Sequence, residues 1–189
     1  MDNKLKILNY LGKNKKKFTM HELSGILKIP YESFHRTIKS MPDLIIKEKA
    51  GKATLIEIKT SNPITKSYLT ISSEEERKEF LKANPIINKI AKEIQAKDTI
   101  LVFGSYAKRQ HTEKSDIDLM IVSKDGSKTI SFSKYETLFK KKINPMFVTE
   151  HEFKQMLKEK EENVGKQALQ NHIILNNPER FWELVLNGI

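Results

Sequence analysis

The stretch LVFGSYAKRQHTEKSDIDLMIVS, residues 101–123, is the part of the sequence that decides the fold. An apolar run ends at Gly104 and Ser105, and after ten further residues the chain carries Asp116 and Asp118 on either side of one isoleucine. Side chains on a strand alternate between two faces, so both aspartates are predicted to point to one side and their apolar neighbours into the core. Two carboxylates on one face lie close enough to share a hard divalent cation. Without a cation or a basic neighbour, their like charges would repel each other.

The turn before the aspartates is suited to an anion. Glycine at position 104 lets the backbone approach a phosphate group closely, and Ser105 offers a hydroxyl as well as its N–H. If a helix begins there, its N-terminal amides also favour an anion. A phosphate-binding turn beside a carboxylate site for Mg²⁺ or Mn²⁺ is what phosphoryl or nucleotidyl transfer requires. The alternative is that the paired aspartates line a cleft without catalysing any reaction.

The same residues resemble the motif of the DNA polymerase β-like nucleotidyltransferase superfamily, and in particular its minimal members, some of which carry a fused helix-turn-helix domain. That motif is a glycine, a glycine or serine, a spacer, and Asp-x-Asp between apolar residues. The resemblance implies a nucleoside triphosphate as substrate, with ATP as the first candidate, and Mg²⁺ or Mn²⁺ as the metal. It implies that Gly104 and Ser105 contact the nucleotide phosphates and that Asp116 and Asp118 are catalytic metal ligands. The side chains expected around the phosphates are Lys108, Arg109 and His111.

Two positions depart from the superfamily pattern. A third acid usually sits on a later strand, but the matching strand here, residues 143–148, has Asn144 and Pro145 at that place. An asparagine can ligate a metal weakly but cannot take a proton at neutral pH. The superfamily also commonly has a glycine at the position of Arg109, where an arginine could either bind a triphosphate or obstruct it. The nearby acids that could substitute for the third one are Asp125, Glu150 and Glu152.

The positive charge of the chain is concentrated at its N-terminus. The 189 residues carry a net charge of +10. Residues 1–60 hold 13 lysines and arginines against 6 aspartates and glutamates, whereas the rest of the chain holds 21 against 18. Such a concentration is typical of a segment that binds the phosphate backbone of DNA or RNA.

The same segment reads as three short helices followed by a β-hairpin. Leucines and isoleucines at helical spacing predict a first helix that ends near Gly12, and Thr19 with Glu22 predicts a capping box for a second helix with Leu23, Ile26 and Leu27 on its buried face. This order resembles a winged helix-turn-helix domain over residues 3–60, which implies DNA binding; a plain interaction or dimerisation module is the alternative. The residues available to nucleic acid are Tyr31, Ser33, His35, Arg36 and Lys39 on the third helix, and Lys52 at the tip of the wing.

The remaining chain predicts a connector and an α/β domain. Residues 60–72 resemble a connector, and Ser73 with Glu76 predicts the start of a charged helix. Beyond Pro85, helices alternate with short apolar strands, so the expected fold class is α+β or mixed α/β: a winged helix-turn-helix followed by a polymerase β-like domain with a small mixed sheet flanked by helices. The predicted domains are a DNA-binding domain at 1–60, a connector and helix at 61–84, and a nucleotidyltransferase-like domain at 85–189.

The composition of the chain bears on its cellular location and its chemistry, and two functional hypotheses remain. The chain has no cysteine and no apolar run of membrane-spanning length, which excludes disulfides and thiolate chemistry and favours a cytoplasmic protein without membrane contact. The first hypothesis is a Mg²⁺-dependent nucleotidyltransferase that moves an NMP, with AMP as the first candidate, onto a protein, a nucleic acid or a small molecule. The second is a DNA-binding regulator or antitoxin-like protein whose transferase domain is catalytically degenerate. Its partner would be a second copy or a toxin-like protein.

Overall fold

The computed structural model of the protein describes residues 1–94, 97–127 and 130–187. Contacts between residues divide the chain into two compact units, Met1–Ser72 and Ser73–Ile189. Within the described residues, no helix combines the length and the apolar character needed to cross a membrane.

The first unit contains the three predicted helices and the predicted hairpin. Its elements are α1 (Asn3–Asn14), β1 (Phe18–Thr19), α2 (Met20–Ile26), α3 (Tyr31–Lys39), β2 (Ile45–Ala50) and β3 (Ala53–Ile58). The strands form an antiparallel sheet in the order β1-β3-β2. The two-residue turn of the hairpin begins at Gly51 with φ +60°, a conformation that favours glycine at the first position of such turns.

Several local predictions for this unit can be compared with the structure. The capping box of Thr19 and Glu22 is confirmed, with both reciprocal hydrogen bonds present. The predicted helix end near Gly12 is wrong: α1 continues to Asn14 and ends at Lys15, which adopts the left-handed conformation. Ile26, expected on the buried face of α2, is 44% exposed. The short strand β1 was not predicted.

A single long helix, α4 (Pro63–Ala83), replaces the predicted connector. The expectation of a connector over residues 60–72 and of a helix start at Ser73 is therefore wrong. The Ser73 hydroxyl does not cap a helix; it is buried and accepts a hydrogen bond of 2.9 Å from the indole N–H of Trp182. Pro63 instead begins the helix, because a proline suits the first helical position, where no N–H donor is required.

The second unit, which α4 enters, contains the α/β fold. Its further elements are α5 (Pro85–Glu93), β4 (Thr99–Phe103), α6 (Gly104–Ala107), β5 (Ile117–Ser123), α7 (Ser133–Phe139), β6 (Ile143–Thr149), α8 (Glu150–Lys158), α9 (Val164–Gln170), β7 (Ile173–Asn176) and α10 (Pro178–Asn187). The sheet order is β6-β5-β4-β7; β5 and β6 are parallel and the other pairs antiparallel. The predicted small mixed sheet flanked by helices is confirmed, whereas α9 was not predicted.

The sheet is covered on both faces. Ile117, Leu119 and Ile121 are fully buried in a cluster with Ile87 and Ile90 of α5, as the alternation of side chains along β5 predicted. On the opposite face, α8, α9 and α10 contact the central strands β4 and β5. A core on both sides holds β4 and β5 in place, so the residues at their ends have fixed positions.

Candidate active site

The site lies where β4 ends and β5 begins. These strands are antiparallel neighbours, and their register places Phe103 opposite Asp118. Gly104 and Ser105 follow directly as the first residues of α6, while Asp116 immediately precedes β5. The strand pairing therefore brings the small-residue turn and both aspartates to the same end of the sheet.

Gly104 packs directly against the Asp118 carboxylate. Its φ is +66°, a left-handed conformation that other residues rarely adopt. A Cβ at this position would overlap Oδ2 of Asp118 and lie 3.3 Å from its Cγ. Only glycine fits here without moving the carboxylate, so the two halves of the sequence motif are in physical contact.

Asn144 joins the two carboxylates from the neighbouring strand. The parallel register of β5 and β6 pairs Asp118 with Asn144. The side-chain amide nitrogen, Nδ2, donates hydrogen bonds of 3.2 Å to Asp116 Oδ2 and 3.2 Å to Asp118 Oδ1. Because one nitrogen atom reaches both aspartates, their carboxylates converge on a common point.

Two lysines before β6 complete this corner. Lys142 places its ammonium 3.4 Å from Asp116 Oδ2, and its side chain is largely exposed. Lys141 donates to the backbone carbonyls of Glu113 and Ser115, which fixes the loop that leads into Asp116. Neither lysine was singled out from the sequence. The basic pair just before a strand was a signal, but its place beside Asp116 depends on the strand pairing.

The donor set fits a hard divalent cation. Mg²⁺ and similar ions bind carboxylate and amide oxygens at about 2.0–2.1 Å. Asp116 and Asp118 supply two such carboxylates around one point. The amide of Asn144 donates to both through Nδ2 and also carries an oxygen, Oδ1. In the part of the chain that the structure describes, no group of three or more His, Cys, Asp or Glu residues is placed to hold a metal.

A model of the nucleotidyltransferase domain matches residues 85–181, just over half of the chain. The chain belongs to the nucleotidyltransferase domain family. This match covers the turn, both aspartates and the strand of Asn144, and the family generally uses a nucleoside triphosphate and a divalent metal ion to transfer a nucleotidyl group. Neither a curated protein nor a solved structure shows significant similarity to the chain.

The acids considered as substitutes for the third carboxylate of the nucleotidyltransferase site lie elsewhere, so that hypothesis is wrong. Because β5 and β6 run parallel, Asp125, Glu150 and Glu152 all follow the strand ends remote from Asp116. Glu150 is paired with Arg180 at 2.6 Å, and the guanidinium lowers the pKa of this carboxyl. Glu152 accepts a hydrogen bond from the Thr149 backbone N–H in the capping box that begins α8, and this hydrogen bond lowers the pKa of Glu152 as well.

The residues expected around the phosphates lie in and after the short helix α6. Ser105 is partly buried in α6, while Lys108 and Arg109 follow on an exposed segment. Arg109 adopts φ +57°, the left-handed conformation that favours glycine. This conformation accounts for the glycine that is common at this position in the DNA polymerase β-like superfamily. His111 stacks on Tyr106 with ring centroids 4.0 Å apart, and this stack holds the start of the loop toward Asp116.

In the first unit, aromatic rings stack at the N-terminus of α3. Tyr31, the first residue of α3, is 39% exposed. Its ring lies parallel to that of His21, with centroids 4.0 Å apart and planes inclined by 5°, and His35 continues the stack at 6.1 Å. His21 was not identified from the sequence, since α2 and α3 had to be packed before the two rings could be seen to meet.

The other residues predicted to contact nucleic acid differ in exposure. Arg36 and Lys39 are exposed on α3, and Lys52 is exposed in the hairpin turn. Ser33 is partly buried and accepts a hydrogen bond of 3.3 Å from the Asn3 side chain of α1. The structure therefore leaves the three cations accessible and engages Ser33 within the unit.

Proposed function

We propose that the protein transfers a nucleoside monophosphate, with AMP as the first candidate, from a nucleoside triphosphate to a protein, a nucleic acid or a small-molecule acceptor. The observation that carries this proposal is the contact between Gly104 and Asp118. It sets a turn with an open backbone directly beside a carboxylate, and transfer of a nucleotidyl group needs phosphate binding and metal binding at adjacent points.

Each residue of the site then has a defined task. The backbone at Gly104 and the hydroxyl of Ser105 bind phosphate oxygens, and the charges of Lys108 and Arg109 attract the triphosphate. Asp116 and Asp118 hold a divalent ion, Mg²⁺ or Mn²⁺. A bound ion supplies positive charge for the triphosphate and for the leaving pyrophosphate.

Labelled nucleotides test the proposed activity. The wild type, incubated with each labelled nucleoside triphosphate and Mg²⁺, should pass the label to an acceptor among cellular protein, nucleic acid or small-molecule fractions. Asp116→Ala/Asp118→Ala should lose this transfer. The matched control is Glu161→Ala/Glu162→Ala, which removes two exposed carboxylates from the segment between α8 and α9 and should keep the activity. No transfer, together with no Mg²⁺-dependent nucleotide binding, would contradict the enzyme proposal.

We further infer that the first unit is a winged helix that binds DNA or RNA. The succession of three helices and a hairpin, with the strand order β1-β3-β2, supports this inference. The inferred contacts to nucleic acid come from Tyr31, Ser33, His35, Arg36 and Lys39 on α3 and from Lys52 in the hairpin turn.

One observation favours a second candidate function. Asn144 lies where the DNA polymerase β-like superfamily usually has an acid, and its amide cannot act as a general base. In this alternative the protein is a DNA-binding regulator or antitoxin-like protein that binds a nucleotide without turning it over, with a second copy or a toxin-like protein as partner. Nucleotide that binds, remains intact and changes the affinity for DNA would support it over the enzyme.

A further inference from the structure

The charged side chains at the site suit one bound divalent ion. Asp116 and Asp118 bring two negative charges, and the ammonium of Lys142 lies 3.4 Å from Asp116 Oδ2. Asn144, which reaches both carboxylates, is neutral. Two divalent ions about 3.5–4 Å apart repel each other, and each carboxylate of the protein beside them offsets part of that repulsion. The described residues hold no third metal-binding acid at this place.

The side chain of Asn144 can interact favourably with the carboxylates alone and also with an ion bound between them. Without an ion, its amide nitrogen donates hydrogen bonds to both facing carboxylates. An ion between the carboxylates would repel those N–H groups. The terminal torsion of an asparagine has two broad minima related by a half-turn, so rotation presents Oδ1 to the ion in place of Nδ2. The same side chain then acts as a neutral oxygen ligand.

Lys142 contacts the same carboxylate of Asp116 as Asn144 does. Its ammonium and the Asn144 amide both contact Oδ2 of the same carboxylate. A second divalent ion that shared this carboxylate would meet the positive charge of the Lys142 ammonium at that oxygen. The backbone carbonyl of Lys142 also accepts from the Ile117 N–H at 3.0 Å, so the main chain at this lysine is held beside the start of β5.

We propose that this nucleotidyltransferase site binds a single divalent ion, with Asn144 as its neutral third ligand and Lys142 as the positive charge that stands in for a second ion. The inference rests on the proposed function, since the ion is the one that would accompany the nucleoside triphosphate. It assigns a role to two residues that the motif does not contain, and it explains why an amide and an ammonium flank the aspartates.

Counting bound ions tests the proposal without measuring activity. The full-length protein is titrated with Mn²⁺ in the presence of one equivalent of α,β-methylene-ATP, and bound ions are counted from the loss of the free Mn²⁺ signal in electron paramagnetic resonance. The wild type should bind one ion per protein–nucleotide complex. Asn144→Asp/Lys142→Met, which restores a third carboxylate and removes the ammonium, should bind two. The control Lys160→Met, at an exposed lysine between α8 and α9, should bind one.

A single substitution covers the case in which the double variant does not fold. Lys142→Met changes only an exposed side chain and should tighten the binding of the one Mn²⁺ by roughly tenfold, the effect of one unit charge beside a divalent ion in a water-rich setting. Unchanged Mn²⁺ affinity in this variant would overturn the assigned role of Lys142.

The remaining outcomes separate this proposal from the proposed function. Two ions in the wild-type complex, or one ion in a folded double variant, would overturn the single-ion proposal and leave nucleotidyl transfer standing. Failure of the protein to bind any nucleoside triphosphate, at any Mn²⁺ concentration, would instead remove the proposed function, and this inference with it.

Discussion

At the scale of single residues, Gly104 links the turn that we propose binds phosphate to Asp118, which we propose binds the metal ion. Gly104→Ala should destabilise the protein by about 1–3 kcal/mol, because alanine is strained at φ +66° and its Cβ would overlap the Asp118 carboxylate. Asp118 can relieve the overlap only by moving its carboxylate, so Mn²⁺ affinity should fall as well. Urea unfolding and Mn²⁺ titration measure the two effects.

Gly25 provides the matched control for this substitution. It lies in α2, and beyond its chain neighbours and the backbone of its own helix no described atom lies within 4 Å of the place that a Cβ would occupy. Gly25→Ala should therefore leave Mn²⁺ affinity unchanged and stabilise the protein by up to about 1 kcal/mol, the difference in helix propensity between the two residues. Equal behaviour of the two alanine variants would contradict the assigned contact at Gly104.

Arg109 combines a strained backbone with a charge that we propose binds the triphosphate. Arg109→Gly should raise the free energy of unfolding by roughly 1 kcal/mol, because φ +57° costs an arginine more than a glycine. If the guanidinium binds the triphosphate, nucleotide affinity should fall by roughly tenfold or more. Calorimetric nucleotide titration and urea unfolding check both. Lys28→Gly, at φ +53° in the first unit, is the control that should gain stability and keep nucleotide affinity.

The residues of the site were only partly predictable from the sequence. The spacing of Gly104, Asp116 and Asp118 is local and visible in one stretch, and the absence of an acid at Asn144 followed from the resemblance. The double hydrogen bond of Asn144 and the ion pair of Lys142 depend on the register between β5 and β6. That register is set by packing between strands separated by a helix, so no local pattern reports it.

At the scale of secondary structure elements, Glu93 ties α5 to α7. Its carboxylate accepts from Lys134 at 2.8 Å and Tyr135 at 2.9 Å, both on α7, and pairs with Lys89 within α5. These partners lower the pKa of Glu93 from 4.5 to about 2. The stabilisation is therefore present above pH 4.5 and is lost as the pH falls toward 2.

Glu93→Gln should remove this acid dependence. Urea midpoints of the wild type and the variant should differ at neutral pH and approach each other between about pH 4.5 and 2. Lys134→Met removes one of the partners that lower the pKa of Glu93. In this variant the pH range over which the stabilisation is lost should therefore end at a higher pH than in the wild type. A difference between wild type and Glu93→Gln that stays constant down to pH 2 would exclude Glu93 as its source.

Asn-Pro pairs illustrate what local signals predict about elements. The sequence contains four of them, and Pro63, Pro85 and Pro178 each begin a helix. The pair at 62–63 lies within the stretch predicted as a connector, yet Pro63 begins α4. Pro145 lies inside β6, an edge strand, where a residue without an N–H is tolerated. The same dipeptide thus serves two structures, and tertiary packing decides between them.

At the scale of the whole molecule, the uneven charge predicts which unit responds to salt. Arg36→Ala/Lys39→Ala should weaken binding of the full-length protein to duplex DNA and make the plot of log affinity against log salt shallower by about 2, roughly 0.9 for each lost phosphate contact. Fluorescence anisotropy at several salt concentrations measures both. Lys158→Ala/Lys160→Ala removes two exposed charges from the second unit and should change neither quantity. Equal slopes for all three proteins would mean that α3 does not contact the phosphates.

The long helix α4 has a practical consequence for dividing the protein. The boundary between the compact units falls between Ser72 and Ser73, within this helix, and the Ser73 hydroxyl is the acceptor for the buried indole of Trp182. A cut at that boundary would leave Ser73 at a fraying chain end, where it could no longer hold the indole. A fragment meant to carry the nucleotidyltransferase domain should therefore include α4 from its start at Pro63.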